Sequence, residues 1–184
     1  MGCEQSDRSG AYALLLTGAP GVGKTTVIRR VAAQFEMRQL RGFYTKEIRE
    51  GGERRGFRLL GFQGQERVIA HTAFPKSHRV GKYGVDVAAI DDATVLLAPD
   101  PAARVYLVDE IGKMECLSEE FVSAMRLLFA GRTPIVATVA LRGAGFIAEA
   151  KSVPESLLWQ VTRADRDEMP ARVASWLTEK WRFR

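Results

Sequence analysis

Hydrophobic positions along this chain fall into short runs whose period switches between that of a buried strand and that of a helix. Ala11-Tyr12-Ala13-Leu14-Leu15-Leu16-Thr17 is an apolar run of buried-strand length. The stretch 27–35 is apolar at Val27, Ile28, Val31 and Phe35, a helical spacing. Residues 42–49 read as a strand, 50–53 as a turn, and 54–62 as the returning arm of a hairpin, with a third short strand over 67–70. Residues 86–98 look helical, and 104–109 form a central strand by their apolar run. Ser118, followed by Glu119 and Glu120, caps a helix that extends to about Phe129. A buried strand over 134–139, a short helix over 145–151, a last strand over 157–161 and a closing helix from about 167 to 181 complete the pattern. On that last helix Val173, Trp176, Leu177 and Trp181 share a face, so the tryptophans read as core anchors rather than stacking platforms.

Strands alternating with helices predict an α/β fold, a mostly parallel sheet with helices on both faces. The antiparallel piece and the basic loop reaching Lys82 break that rhythm, and predict a hairpin insertion over about 42–85 at one edge. No repeat or linker interrupts the chain, so one domain is expected over 11–184 behind a disordered tail at 1–10. That tail opens Met1-Gly2-Cys3-Glu4-Gln5-Ser6, which fits a myristoylation pattern with Cys3 placed for a second acyl chain. Arginine outnumbers lysine 20 to 7 and asparagine is absent, a composition that looks prokaryotic, so the plain tail is the favoured reading.

The chain of 184 residues is long enough for a proper core, and its two cysteines, Cys3 and Cys116, are too few for a disulfide framework or a zinc site. A reducing cytoplasmic setting follows as the expectation, and no apolar run approaches the roughly 18–20 residues of a membrane span. The net charge of +5 suits polyanionic ligands; nucleic acid is compatible but not required. His71 and His78 have nothing to pair them as ligands, and Cys116 reads as a small packed residue.

Between the first strand and first helix lies Gly18-Ala19-Pro20-Gly21-Val22-Gly23-Lys24-Thr25-Thr26, which fits the phosphate-loop pattern G-x-x-x-x-G-K-[ST]. Glycines let successive N–H groups point at one phosphate, and the helix N-terminus adds positive potential. Lys24 can reach the β- and γ-phosphates, and the Thr25 hydroxyl can ligate Mg2+. A second carboxylate from another strand end is needed to hold that ion through water. Val105-Tyr106-Leu107-Val108-Asp109 supplies it in Asp109, and Glu110 beside it is the candidate to polarise the attacking water. The interval of about 85 residues between the two motifs leaves room for an intervening strand, which favours a RecA-like sheet order. With no asparagine, the usual guanine reader [NT]-K-x-D is missing, so a guanine-specific switch is not expected.

Asp109-Glu110-Ile111-Gly112-Lys113-Met114-Glu115 resembles the D-E-I-G-K-M-E signature of the P-loop nucleoside-triphosphatase family first described from thermophiles. Vertebrate relatives of that family are known as cancer-related nucleoside triphosphatases. Further resemblance lies in 42–49, in Gly56-Phe57 and in Arg79-Val80-Gly81-Lys82-Tyr83-Gly84-Val85-Asp86-Val87, so the likeness runs from about 11 to 170. It implies a RecA-like P-loop NTPase fold and Mg2+-dependent hydrolysis of ATP, GTP and other nucleoside triphosphates to the diphosphate, with poor base discrimination. The implied nucleotide-binding set is 18–26 together with Val105, Tyr106, Leu107, Val108, Asp109, Glu110, Ile111 and Gly112. The chain departs from the family at Thr162-Arg163-Ala164-Asp165-Arg166-Asp167, where a T-x-E-N-R-D stretch is expected. Arg166 is there the candidate to stack on the base, unless it pairs with Asp167 or another carboxylate.

Hydrolysis of this kind is slow without a second cation near the γ-phosphate. Lys113 is the in-chain candidate, unless it pairs with Glu115, and Arg58 and Arg79 are the alternatives. Two rival functions use the same residues. One is a nucleoside, nucleotide or RNA-end kinase with 49–82 as a basic lid, against which Glu110 argues. The other is a regulatory nucleotide-binding module whose slow hydrolysis times the release of a partner.

Overall fold

The structure, a computed structural model, describes residues 11–182. The expected tail at 1–10, with its acylation pattern, lies outside those residues. Strand β1 (Ala13–Thr17) leads through the glycine loop into α1 (Lys24–Ala32). Strands β2 (Leu40–Glu50) and β3 (Glu53–Gly61) form a long hairpin, followed by β4 (Glu66–His71), β5 (Arg79–Val80) and β6 (Tyr83–Val85). Then come α2 (Val87–Ala93), β7 (Val105–Ile111), α3 (Glu119–Ala130), β8 (Ile135–Val139), α4 (Phe146–Lys151), β9 (Ser156–Gln160) and α5 (Met169–Arg182).

All nine strands join one sheet in the order β5-β6-β4-β3-β2-β7-β8-β1-β9. The five strands from β2 to β9 in that order are mutually parallel, and the four beyond β2 are antiparallel. The phosphate-loop strand β1 is separated from β7 by β8, the RecA-like order expected. The separating strand, however, follows β7 in the chain. The long interval between the two motifs is spent instead on β2 to β6 and α2. The segment 72–85, which includes the basic loop reaching Lys82, also carries two short strands that its composition does not announce.

The boundary expected for the insertion needs correcting. Leu40 to Phe43 pair in parallel with Val105 to Val108 and so belong to the central sheet. Beyond Val108 the 11-residue β2 has no β7 partner, so its second half overhangs the sheet's C-terminal edge and carries the hairpin with it. Close approach makes this pairing depend on Gly42. Its φ is +103°, and a Cβ there would sit 2.0 Å from the Leu107 carbonyl oxygen.

Period-2 alternation divides the core between the two faces. Leu14 and Leu16 of β1 join Val27, Ile28 and Val31 of α1 and Val173, Trp176 and Leu177 of α5. Ala13 and Leu15 turn to the opposite face, with Ile90 of α2, Phe121 and Met125 of α3 and Phe146 and Ile147 of α4. Burial of apolar surface on both faces is the main force holding helices to sheet. Ser118 caps α3 as expected, its hydroxyl accepting the Phe121 N–H at 2.8 Å. Trp176 is buried, and Trp181 meets Phe35 edge-on while donating to the Arg104 carbonyl, both anchoring roles.

Candidate active site

Parallel strands present their C-terminal ends at one edge of the sheet, and both motifs emerge there. Gly23, in the left-handed region at φ +115°, turns the chain into α1. Among the described residues no side chain caps that helix start, and no acidic residue sits in its first turn, so its N–H groups stay available to an anion. Lys24 is nine-tenths buried; its Nζ donates to the Gly18 carbonyl at 3.2 Å and lies 3.7 Å from Glu110 Oε2.

Asp109 is buried near the C-terminal end of β7 and takes a hydroxyl on each carboxylate oxygen. Thr25 Oγ1 donates to Oδ2 at 2.6 Å, and Thr138 Oγ1 donates to Oδ1 at 2.6 Å. Burial pushes the Asp109 pKa up, while those two hydroxyls, the Thr45 N–H and the Lys24 charge pull it down. Burial also raises Glu110, against the pull of Lys24 and with a push from Asp109. Glu115 is raised to about 8, chiefly by burial and further by the charges of Glu110 and Asp109, against the backbone N–H groups of Glu115 and Gly112 that pull it down. Burial and the neighbouring Glu115 and Glu110 push the Cys116 thiol up to about 12, so the thiolate is suppressed and the packed reading holds.

A cleft of about 1020 Å³ opens over the phosphate loop, lined among others by Gly18, Pro20, Gly21, Gly23 to Thr26, Glu110, Lys113 and Glu115. A smaller cavity of about 390 Å³ adjoins it, between Ala19 to Val22 and the loop Gln160 to Arg163. Val105, Tyr106, Leu107, Val108 and Ile111 line neither. They are at most 1% exposed inside a strand covered on both faces, so their side chains reach neither cavity. Gly112 is likewise absent from both linings and packs against Glu110 and Glu115.

Arg58 and Arg79 also drop out. Arg58 pairs with Glu66 at 2.6 Å on the outer strands, Arg79 is exposed on β5, and neither lines the cleft. Lys113 does line it, is exposed, and forms no ion pair with Glu115 among the described residues. Arg166 lies against the phosphate loop: its Cδ is 3.6 Å from where a Gly23 Cβ would be. Its expected partner Asp167 is taken by Arg30 at 3.3 Å, and Arg163, not Arg166, lines the smaller cavity.

Thr138 and the hairpin cations escaped the sequence reading. Thr138 is the one hydroxyl in the apolar stretch of β8, and a polar residue near the end of a buried strand is the signal it offered. Lys46, Arg49 and Arg54 face the cleft only because β2 overhangs it. Arg49 and Arg54 share Glu47, at 2.8 and 2.7 Å, and Arg54 also donates to the Tyr83 hydroxyl at 3.1 Å.

Comparison with known proteins agrees with this geometry. A family model described as NTPase matches residues 13–174. The nucleoside-triphosphatase THEP1 of Thermotoga petrophila is 35% identical over 158 residues, spanning 85% of this chain and 87% of that one. The crystal structure of THEP1 from the hyperthermophile Aquifex aeolicus superposes with a TM-score of 0.82 at 30% identity, covering 90% of this chain and 98% of that one. The solution structure of a human cancer-related nucleoside triphosphatase gives 0.77 at 29% identity, covering 91% and 97%.

Proposed function

Because this chain belongs to the NTPase family, we propose that the cleft over Gly18 to Thr26 is where it hydrolyses nucleoside 5′-triphosphates to the diphosphate and phosphate, with Mg2+ and little regard for the base. Hydrolysis of nucleoside triphosphates is the activity that names its relatives, and the reading carries it to this chain. The observation that supports it best is the meeting of three groups from separate elements. Thr25 on α1 touches Asp109 near the end of β7, and Glu110 faces Lys24 across the loop.

The residues suit a hard divalent cation. A hydroxyl and a fully buried carboxylate, already 2.6 Å apart, form an oxygen donor pair, and Thr138 fixes the carboxylate from behind. When bound, Mg2+ supplies charge against the β- and γ-oxygens. Backbone N–H groups of Gly21 to Thr25 hold the β-phosphate. Lys24 leaves the Gly18 carbonyl for the β- and γ-oxygens, which frees Glu110 from its ammonium contact. Glu110 then accepts a proton from the water in line with the γ-phosphorus, and its burial strengthens it as a base. Lys113 at the cleft's edge is the in-chain cation for charge developing on the γ-oxygens. Arg166, beside Gly23, borders the base.

Glu110→Gln tests this directly. Single-turnover hydrolysis should fall by roughly 10²–10⁴, the worth of a positioned general base, with nucleotide affinity within a few-fold of the parent. Unchanged turnover would remove Glu110 from this role. Run across ATP, GTP, CTP and UTP, the parent's specificity constants should lie within about tenfold, or 1.4 kcal/mol. A thousandfold preference for one base would mean a dedicated reader in the adjoining cavity.

A further inference from the structure

The stretch after β7 doubles back tightly, with the Cys116 N–H donating to the Gly112 carbonyl at 3.0 Å. This places Glu115, only 5% exposed, in the wall of the cleft. Among the described residues no lysine, arginine or histidine pairs with it. A buried carboxyl without a cation costs free energy, and such groups cluster where a site uses them. Gly112 shows what this one faces. A Cβ on Gly112 would lie 2.7 Å from Glu115 Oε2 and 3.0 Å from both Cγ and Oε1 of Glu110. The two side chains therefore flank a single point, vacant only because residue 112 is glycine.

We propose that Glu115 is a positioning residue for Glu110, its carboxyl fixing across the Gly112 gap the rotamer in which Glu110 meets the attacking water. The proposal rests on the hydrolase reading above. A buried carboxyl raised to about 8 is mostly neutral at pH 7, and a neutral acid can donate a hydrogen bond to a carboxylate. Glu115 thus holds Glu110 without adding a second negative charge beside the γ-phosphate. Glu110 is one-third exposed and, among the described residues, has no hydroxyl partner of the kind that fixes Asp109, so it needs such a support.

Single-turnover hydrolysis of magnesium ATP, with equilibrium binding of the same nucleotide, tests this in five variants. Glu115→Met fills the space without hydrogen bonding and should slow the chemical step about a hundredfold, as a shift of about 1 Å in a reacting group does, with binding changed less than about threefold. Glu115→Gln keeps a donor and should restore the rate to within about tenfold of the parent. Gly112→Ala, which pushes a methyl between the two side chains, should slow hydrolysis like Glu115→Met. In a Glu110→Gln background, Glu115→Met should add less than about threefold, since a residue acting through Glu110 has nothing left to position. The inference is overturned if Glu115→Met hydrolyses within about threefold of the parent, or if its hundredfold step persists in the Glu110→Gln background. It is also overturned if Glu115→Gln is as slow as Glu115→Met. A parent that does not hydrolyse, or a Glu110→Gln variant as fast as the parent, would instead overturn the hydrolase reading itself.

Discussion

Lys24 holds two contacts within the cleft, one to the Gly18 carbonyl and one to Glu110. Both are poorer partners than a triphosphate, so the ammonium is poised to transfer. Lys24→Ala should cut hydrolysis by about 10²–10³, the cost of one donor at a developing oxyanion, and should weaken binding as well. Phosphate release together with nucleotide calorimetry reads both effects; full hydrolysis in the variant would place the active site elsewhere. The position of Lys24 at the start of α1 was legible from its place in the motif. The burial of Glu115 was not, because Asp109-Glu110-Ile111-Gly112-Lys113-Met114-Glu115 read as a string does not say which carboxylates turn inward. Thr138 teaches the same lesson: it sits 29 residues from Asp109 in the chain and 2.6 Å from it in space.

Among the elements, β2 decides most, because one strand serves both the parallel sheet and the hairpin over the cleft. Its junction with β7 leaves no room at Gly42. Gly42→Ala must open that pairing and should cost at least about 3 kcal/mol in urea unfolding. Gly64→Ala is the control, since Gly64 has a similar φ of +95° but nothing within 4 Å of an added Cβ. It should cost only the about 1–2 kcal/mol of a left-handed backbone. Equal losses at the two positions would mean that φ, and not the Leu107 carbonyl, limits residue 42. Apart from the short β5 and β6, strand and helix existence along the chain followed from period, and the Ser118 cap from its two glutamates. The extent of β2 did not, since the apolar pattern marks where a strand is buried and not where its partner stops.

Across the whole molecule, buried carboxylates with raised pKa values set the pH dependence of stability. Glu115, raised to about 8 from 4.5, holds its proton in the folded chain over a window in which the unfolded chain has lost it. Folded protein then binds more protons than unfolded, so stability is greatest below about pH 4.5 for this group and falls as pH rises toward 8. The raised values of Asp109 and Glu110 act in the same direction. The melting temperature of the nucleotide-free protein should therefore drop between about pH 5 and pH 8. In Glu115→Gln, which has no proton to lose, calorimetry should show a smaller drop; a drop as large as the parent's would mean that Glu115 is not the group responsible.

The sequence by itself determined the alternation of strands and helices, the phosphate loop, the Asp109-Glu110 pair at a strand end and the family signature. Each of these is written in neighbouring residues, where period, glycine placement and spacing act over one turn or one strand. The packing of β8 between β1 and β7 was expected from the motifs, but the tertiary structure alone showed which segment fills that place. It alone also separated the hairpin cations that face the cleft, Lys46, Arg49 and Arg54, from Arg58 and Arg79, which do not. Facing depends on strand overhang and sheet order, which arise from pairings between residues far apart in the chain. The buried face shared by Glu110, Gly112 and Glu115 belongs to the same class: whether a carboxylate is solvated or enclosed is fixed by what the rest of the fold lays over it.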